Sequence, residues 1–126
     1  MKANELTTGD WVMTENGIAR VIMIGEHSPC YTTKTGEGEA AIFPRNLQPI
    51  PLTPEILKKN GFKKSEYGWY NRKIDKWEIE IYIGRIETFV KINKGVYPHI
   101  NNTDCHFVHQ LQHALRLCEI EKEITL

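Results

Sequence analysis

The chain has 126 residues and a mass of 14.6 kDa, and its 16 Lys+Arg are matched by 16 Asp+Glu. Zero net charge argues against a generally basic nucleic-acid coat. A hydrophobic fraction of 40% argues against disorder, because a domain of this length buries roughly two-thirds of its unfolded surface.

No apolar run approaches the ~20 residues needed to cross a bilayer, and Met1-Lys2-Ala3-Asn4-Glu5 leads straight to polar residues without an apolar signal core. Cys30, Cys105 and Cys118 are too few and too scattered for a disulfide framework, and their odd number fits a reducing compartment. A soluble, cytoplasmic protein with no membrane partner is expected.

Residues 6 to 50 read as short strands separated by turn signals. Asp10 to Met13 leads into Glu15-Asn16-Gly17, where Asn-Gly is expected to supply the two positive-φ positions of a hairpin, and Ile18 to Ile24 forms the second strand. Gly25 to Pro29 reads as a loop, Cys30 to Thr33 as a third strand, and Thr35 to Gly38 as a turn before Ala40 to Phe43. Pro44 has no amide to donate, so Pro44 to Leu47 predicts a single helical turn. This order looks like a small SH3-like β-barrel over residues 1–52, an analogy of pattern that specifies no ligand.

Pro49-Ile50-Pro51-Leu52 is a stiff connection to a second module, 53–126. Thr53-Pro54-Glu55 predicts a helix start, with Thr at the N-cap, Pro at the first position and an acid against the dipole. Gly61 closes that helix. Lys58, Lys59, Lys63 and Lys64 read as the basic end of a helix rather than as a nucleic-acid patch.

Tyr67 to Ile74, Trp77 to Ile83 and Ile86 to Ile92 predict a three-stranded antiparallel meander broken at Asp75-Lys76 and Gly84-Arg85. Trp77, Ile79, Ile81 and Ile83 alternate with Glu78, Glu80 and Tyr82, so one face is apolar. Its cover is a helix from about Asp104 to Glu119, capped by Asn102, Thr103 or Asp104, with a stripe of Phe107, Val108, Leu111, Ala114, Leu115 and Cys118. Glu119 to Leu126 reads as a final strand or a frayed tail. The fold class is therefore α+β: the SH3-like barrel, a helix, the meander and a C-terminal covering helix.

Two clusters carry candidate chemistry. His106, His109 and His113 fall within about 60° on the final helix, roughly opposite its apolar stripe, a spacing that allows a shared metal ion. The segment His109-Gln110-Leu111-Gln112-His113 lacks the Glu of a zinc-protease HExxH helix, so a solvated face with incidental histidines competes with a metal site. The polar meander face is expected to hold Tyr70 and Arg72, then Glu78, Glu80 and Tyr82, then Glu87, Phe89 and Lys91. Paired carboxylates suit acid–base work and the aromatics suit a planar ligand, but alternating Glu and Lys is also how a sheet is solubilised. Trp11, Trp69 and Trp77 read as packing residues. Phosphate-binding glycine loops, a GxSxG elbow, a CxxC pair and an acidic calcium loop are all missing from the sequence.

Three segments carry a resemblance: Met1-Lys2-Ala3-Asn4-Glu5-Leu6 with Gly9-Asp10-Trp11-Val12, then 49–62 from Pro49 to Phe62, and Val108 to Leu115. Together the chain resembles a family of uncharacterised small hypothetical proteins from gut Bacteroides-type bacteria and their prophages. The resemblance implies a cytoplasmic bacterial or phage protein and transfers no activity.

The reading that follows is a non-enzymatic binding or adaptor protein with a protein partner and no cofactor. A second reading is sequestration of a small anionic ligand, such as a nucleotide signal, by Arg45, Arg72, Lys73, Tyr82 and Arg116. A third is metal binding through His106, His109 and His113. An open sheet edge makes a homodimer an even alternative to a monomer.

Overall fold

The computed structural model describes residues 5–24, 31–35 and 38–126. The expected loop over 25–29, Cys30, the turn residues 36 and 37, and the first four residues of the chain lie outside them. The described residues form a mixed α+β protein with two antiparallel sheets and two α-helices. Two compact units meet in sequence between Ile50 and Pro51. No helix among the described residues is long and apolar enough to cross a membrane.

The first unit is a four-stranded sheet of β1 (Trp11–Thr14), β2 (Gly17–Ile24), β3 (Tyr31–Thr35) and β4 (Gly38–Ile42), in that order. Thr14 pairs with Gly17, leaving Glu15-Asn16 as the turn. Gly17 takes φ +106°, whereas Asn16 is not among the residues of positive φ, contrary to expectation. The Thr14 side chain braces the turn. Its hydroxyl donates to the Gly17 carbonyl at 2.9 Å and accepts from the Asn16 amide at 3.1 Å.

Asp10 is fully buried, and its carboxyl group accepts from the Thr7 amide at 2.8 Å and hydroxyl at 3.3 Å. Leu6, Val12, Ala19, Val21 and Leu47 form the core, with Ile42 packed on it.

A 3-10 turn at Pro44–Asn46 matches the expected helical turn. The chain then returns beside β1, where Met13 and Gln48 exchange backbone bonds of 2.8 and 2.9 Å. The expected closed barrel is not found. Among the described residues β4 stays at the edge opposite β1, and the return is one bridge rather than a ladder. Pro49, next in sequence, has no amide with which to extend it.

The second unit is a five-stranded sheet of β5 (Lys63–Lys64), β6 (Trp69–Ile74), β7 (Trp77–Ile83), β8 (Thr88–Lys94) and β9 (Tyr97–Asp104), in sequence order, with helices α1 (Pro54–Lys59) and α2 (Val108–Leu117). α1 starts as the sequence predicts: the Thr53 hydroxyl accepts from the Ile56 amide at 3.3 Å, with Pro54 in the first position. At its end the Gly61 amide reaches Lys58 and the Phe62 amide reaches Leu57, the paired bonds of a left-handed C-terminal cap, with Gly61 at φ +85°. Phe62 is buried as the apolar companion of that cap.

Buried Asn60 gives the tail its place. Its amide donates to the Thr125 carbonyl at 2.8 Å and its carbonyl accepts from the Thr125 amide at 2.7 Å. With Ile120 and Ile124 buried, the tail is neither the strand nor the frayed end considered from sequence.

Two strands were not expected. β5 is only two residues long. β9 is disguised by Pro98 and Asn101-Asn102, which read as turn signals but sit at shifts in its register with β8, Asn102 at φ +46°. Because β9 runs to Asp104, α2 starts at Val108 instead of near Asp104. The expected caps Asn102, Thr103 and Asp104 lie in the strand, and the Gln110 side chain serves instead, accepting from the His106 and Phe107 amides at 2.7 and 3.1 Å. The break after β7 is also longer than Gly84-Arg85; the Gly84 amide bonds the Glu87 carbonyl at 2.7 Å, leaving Ile86 exposed in the loop.

The core of this unit lies on one sheet face, where Tyr70, Ile79, Ile81, Val90 and Ile92 are buried. Val108, Leu111 and Leu115 bury the apolar side of α2. Ile81→Ala is expected to cost about 2–5 kcal/mol in urea denaturation, since a fully buried branched side chain leaves a cavity. Asn60→Ala is expected to cost about 1–3 kcal/mol by stranding the Thr125 amide and carbonyl, and limited proteolysis should then cut within 119–126 before the rest of the unit.

Candidate functional site

The face of the second sheet opposite its core is organised by strand register. Trp69 pairs with Tyr82 and Tyr82 with Phe89; Asn71 pairs with Glu80 and Glu80 with Lys91; Lys73 pairs with Glu78 and Glu78 with Asn93. Successive residues of a strand alternate faces, so these three rows share one face. Tyr70 and Arg72, expected here, pair with Ile81 and Ile79 on the core side, and Tyr70 is buried. The expectation is displaced by one residue along β6. Glu87 lies in the loop before β8 rather than on the face.

The first row is an aromatic cluster. Trp69 lies 5.5 Å from Tyr82 and 5.4 Å from Phe89 between ring centroids, and Tyr82 stacks on Phe89 at 5.1 Å. All three rings are half-buried, a larger apolar surface than a merely solubilised sheet face needs. Gly84 makes room for the cluster: a Cβ there would meet the Tyr82 ring at 2.7 Å.

Beside it the Asn71 amide donates to Glu78 at 2.8 Å and to Glu80 at 3.4 Å. The Asn71 bond, helped by a hydrogen bond from Glu80, holds Glu78 below the usual carboxylate range. Glu80 is shifted upward, first by burial and then by its hydrogen bond to Glu78 and that group's charge. The pair thus divides into a group that stays ionised and one that keeps a proton more readily.

Two recesses open on this side of the unit. One, of about 420 Å³, is lined by Ser65, Tyr67, Trp69, Asn71, Glu80 and Lys91. The other, of about 550 Å³ at the β5 edge, is lined by Lys63 and Lys73 from this face, by Lys64 and Arg72 from the core side of the register, and by Gly61. Ser65 and Asn71 line both. The Arg72 guanidinium donates to the Asn60 carbonyl, and bare Gly61 lets it pass, since a Cβ there would lie 3.3 Å from the guanidinium carbon.

Of the residues proposed from sequence to grip an anion, the structure brings Arg72 and Lys73 to one recess and Tyr82 to the adjoining aromatic row. Arg45 belongs to the first unit, beside the Phe43 ring at 5.0 Å, and Arg116 is exposed on α2 and lines neither recess. Trp69, read from sequence as packing, and Lys63 and Lys64, read as a helix end, are part of the site. Counting back from the two-residue turn Asp75-Lys76 would have placed Trp69 opposite Tyr82.

The histidines do not form the expected solvated face. His109 is buried on α2 with Val108, Leu111, Gln112 and Leu115, because the covered side of the helix spans about 160° at 100° per residue and takes in its edge. His109 stacks on Phe107 at 5.9 Å and meets His113 edge-on at 5.7 Å, while His113 faces a separate groove with His99 and Leu117. Among the described residues no group of three or more His, Cys, Asp or Glu side chains is placed to hold a metal ion. Cys105 and Cys118 are buried free thiols, and burial pushes the Cys105 pKa up to about 12.

Comparisons with protein-family models, with curated proteins and with solved structures return no match.

Raised Glu80 favours the folded state most below the ordinary carboxylate pKa, and that contribution is lost as pH rises through its folded value; depressed Glu78 contributes above the ordinary value and loses it on acidification. Glu80→Gln is therefore expected to raise Tm slightly at pH 7 and Glu78→Gln to lower it slightly, both differences small because the pair is largely solvent-screened and both shrinking below about pH 4, in scanning calorimetry across pH. In a Cys30→Ser background, neither remaining thiol is expected to react with a disulfide reagent at pH 8 until denaturant is added.

Proposed function

We propose that this chain is a non-enzymatic binding protein of bacterial or phage origin, working in the cytoplasm through the outer face of its second unit. The observation that carries the reading is the half-buried Trp69, Tyr82 and Phe89 row beside an open recess on the face away from the core. Aromatic rings held by their neighbours on a sheet lose little freedom when a partner covers them, which favours binding. Beside them the Glu78 and Glu80 carboxylates are tied to one another through Asn71.

The first unit is read as an opened SH3-like scaffold for an adaptor. The order hairpin, two further strands, a 3-10 turn and a return beside β1 supports that. A second reading, capture of a small anionic ligand, is favoured by the basic recess that holds Arg72 and Lys73.

Native mass spectrometry of untagged protein, before and after denaturation, tests the binding face. Wild type is expected to carry an added partner or ligand mass that Trp69→Ala/Phe89→Ala protein loses while keeping its native charge-state distribution. A bare wild-type chain, or an added mass kept by the variant, overturns the assignment.

A further inference from the structure

The aromatic and basic recesses are continuous in their linings, since Ser65 and Asn71 belong to both. Four cationic side chains, Lys63, Lys64, Arg72 and Lys73, line the basic part, and no carboxylate among the described residues does. In a chain of zero net charge this is a local excess that overall composition hides. The aromatic part offers the Trp69 ring and the exposed Tyr67 ring, with Glu80, Lys91 and the Asn71 amide beside them. A ligand that uses both parts carries an anionic group and a planar ring.

Resting on the binding-face reading, we infer that the second unit binds a nucleotide unit, its phosphate against Lys63 and Lys73 and its base against Trp69 and Tyr67. Ammonium groups on long flexible stems suit phosphate as point charges. Aromatic rings accept any base because every base has a π-face. Arg72 has a positioning role here: its bond to the Asn60 carbonyl ties the end of α1 to β6, fixing the strip Gly61–Ser65 from which Lys63 and Lys64 project. Gly61 is part of that device, since a side chain there meets the guanidinium. The same chemistry is offered by a free nucleotide and by a stretch of single-stranded nucleic acid.

Isothermal titration at low salt with adenosine triphosphate, adenosine monophosphate, adenosine, inorganic phosphate and an eight-residue oligodeoxyadenylate tests this. The nucleotides are expected to bind at least about tenfold tighter than adenosine or phosphate alone, because only they reach both recesses. Trp69→Leu is expected to weaken nucleotide binding about tenfold or more. Lys63→Gln/Lys73→Gln, confined to exposed side chains, is expected to weaken it and flatten its salt dependence. An oligonucleotide that binds about tenfold tighter than the monophosphate identifies nucleic acid as the source; equal or weaker binding identifies the free nucleotide. Failure of all phosphorylated probes, or binding unchanged in both variants, overturns the inference. If those probes fail while the native mass experiment still shows a Trp69-dependent added mass, the nucleotide assignment falls and the binding face stands.

Discussion

The second unit depends on one register choice. Asp75 adopts the left-handed conformation at φ +53°, and the two-residue turn Asp75-Lys76 sets Ile74 opposite Trp77. From that pair every residue on β6 and β7 has its face assigned. The choice is enforced from the other side of the sheet, where Ile79 and Ile81 on β7 and Val90 and Ile92 on β8 are removed from water. A slip of one residue would turn that apolar set to solvent, so burial on one face dictates composition on the other. The aromatic row, the Asn71–Glu80–Lys91 row and the Lys73–Glu78–Asn93 row follow from it.

The outer face is a compromise between solubility and recognition. Opposite charges are paired across strands as a solvated sheet requires, yet one row is aromatic. The carboxylates at positions 78 and 80 lie two residues apart on one strand and share the Asn71 amide, which separates their affinities for a proton. That separation arises from the Asn71 amide on Glu78, partial burial of Glu80, and the hydrogen bond and charge the two carboxylates share, with Lys73 adding a smaller charge effect on Glu78.

Asn60 is the second organising point of this unit. As the cap of a six-residue helix it bonds back to Ile56, holds Thr125 with two side-chain atoms, and offers its backbone carbonyl to Arg72 on β6. A short helix has little stability of its own, so capping at both ends and burial of Leu57 keep it formed. The same residue thereby joins α1, the tail and the sheet, and it places the β5 lysines at the edge of the basic recess.

Local chemistry made much of this legible in the amino-acid order. The Thr53-Pro54 start and Gly61 end of α1, the existence of the β1–β2 hairpin though not its turn geometry, the Pro44 turn and the alternation through β7 and β8 each rest on residues within one turn or one strand. Where pairing partners are distant, the order was silent or misleading. β9 carries turn-like residues because bulges against β8 accept them, and His109 is buried because the covered side of α2 is wider than its apolar stripe. Tyr70 and Arg72 changed faces because alternation fixes parity only relative to a paired neighbour. Sequence therefore determined the elements whose hydrogen bonds close locally. Only the tertiary structure decided which side chains share a face, because that depends on cross-strand partners and on which surface is hidden from water.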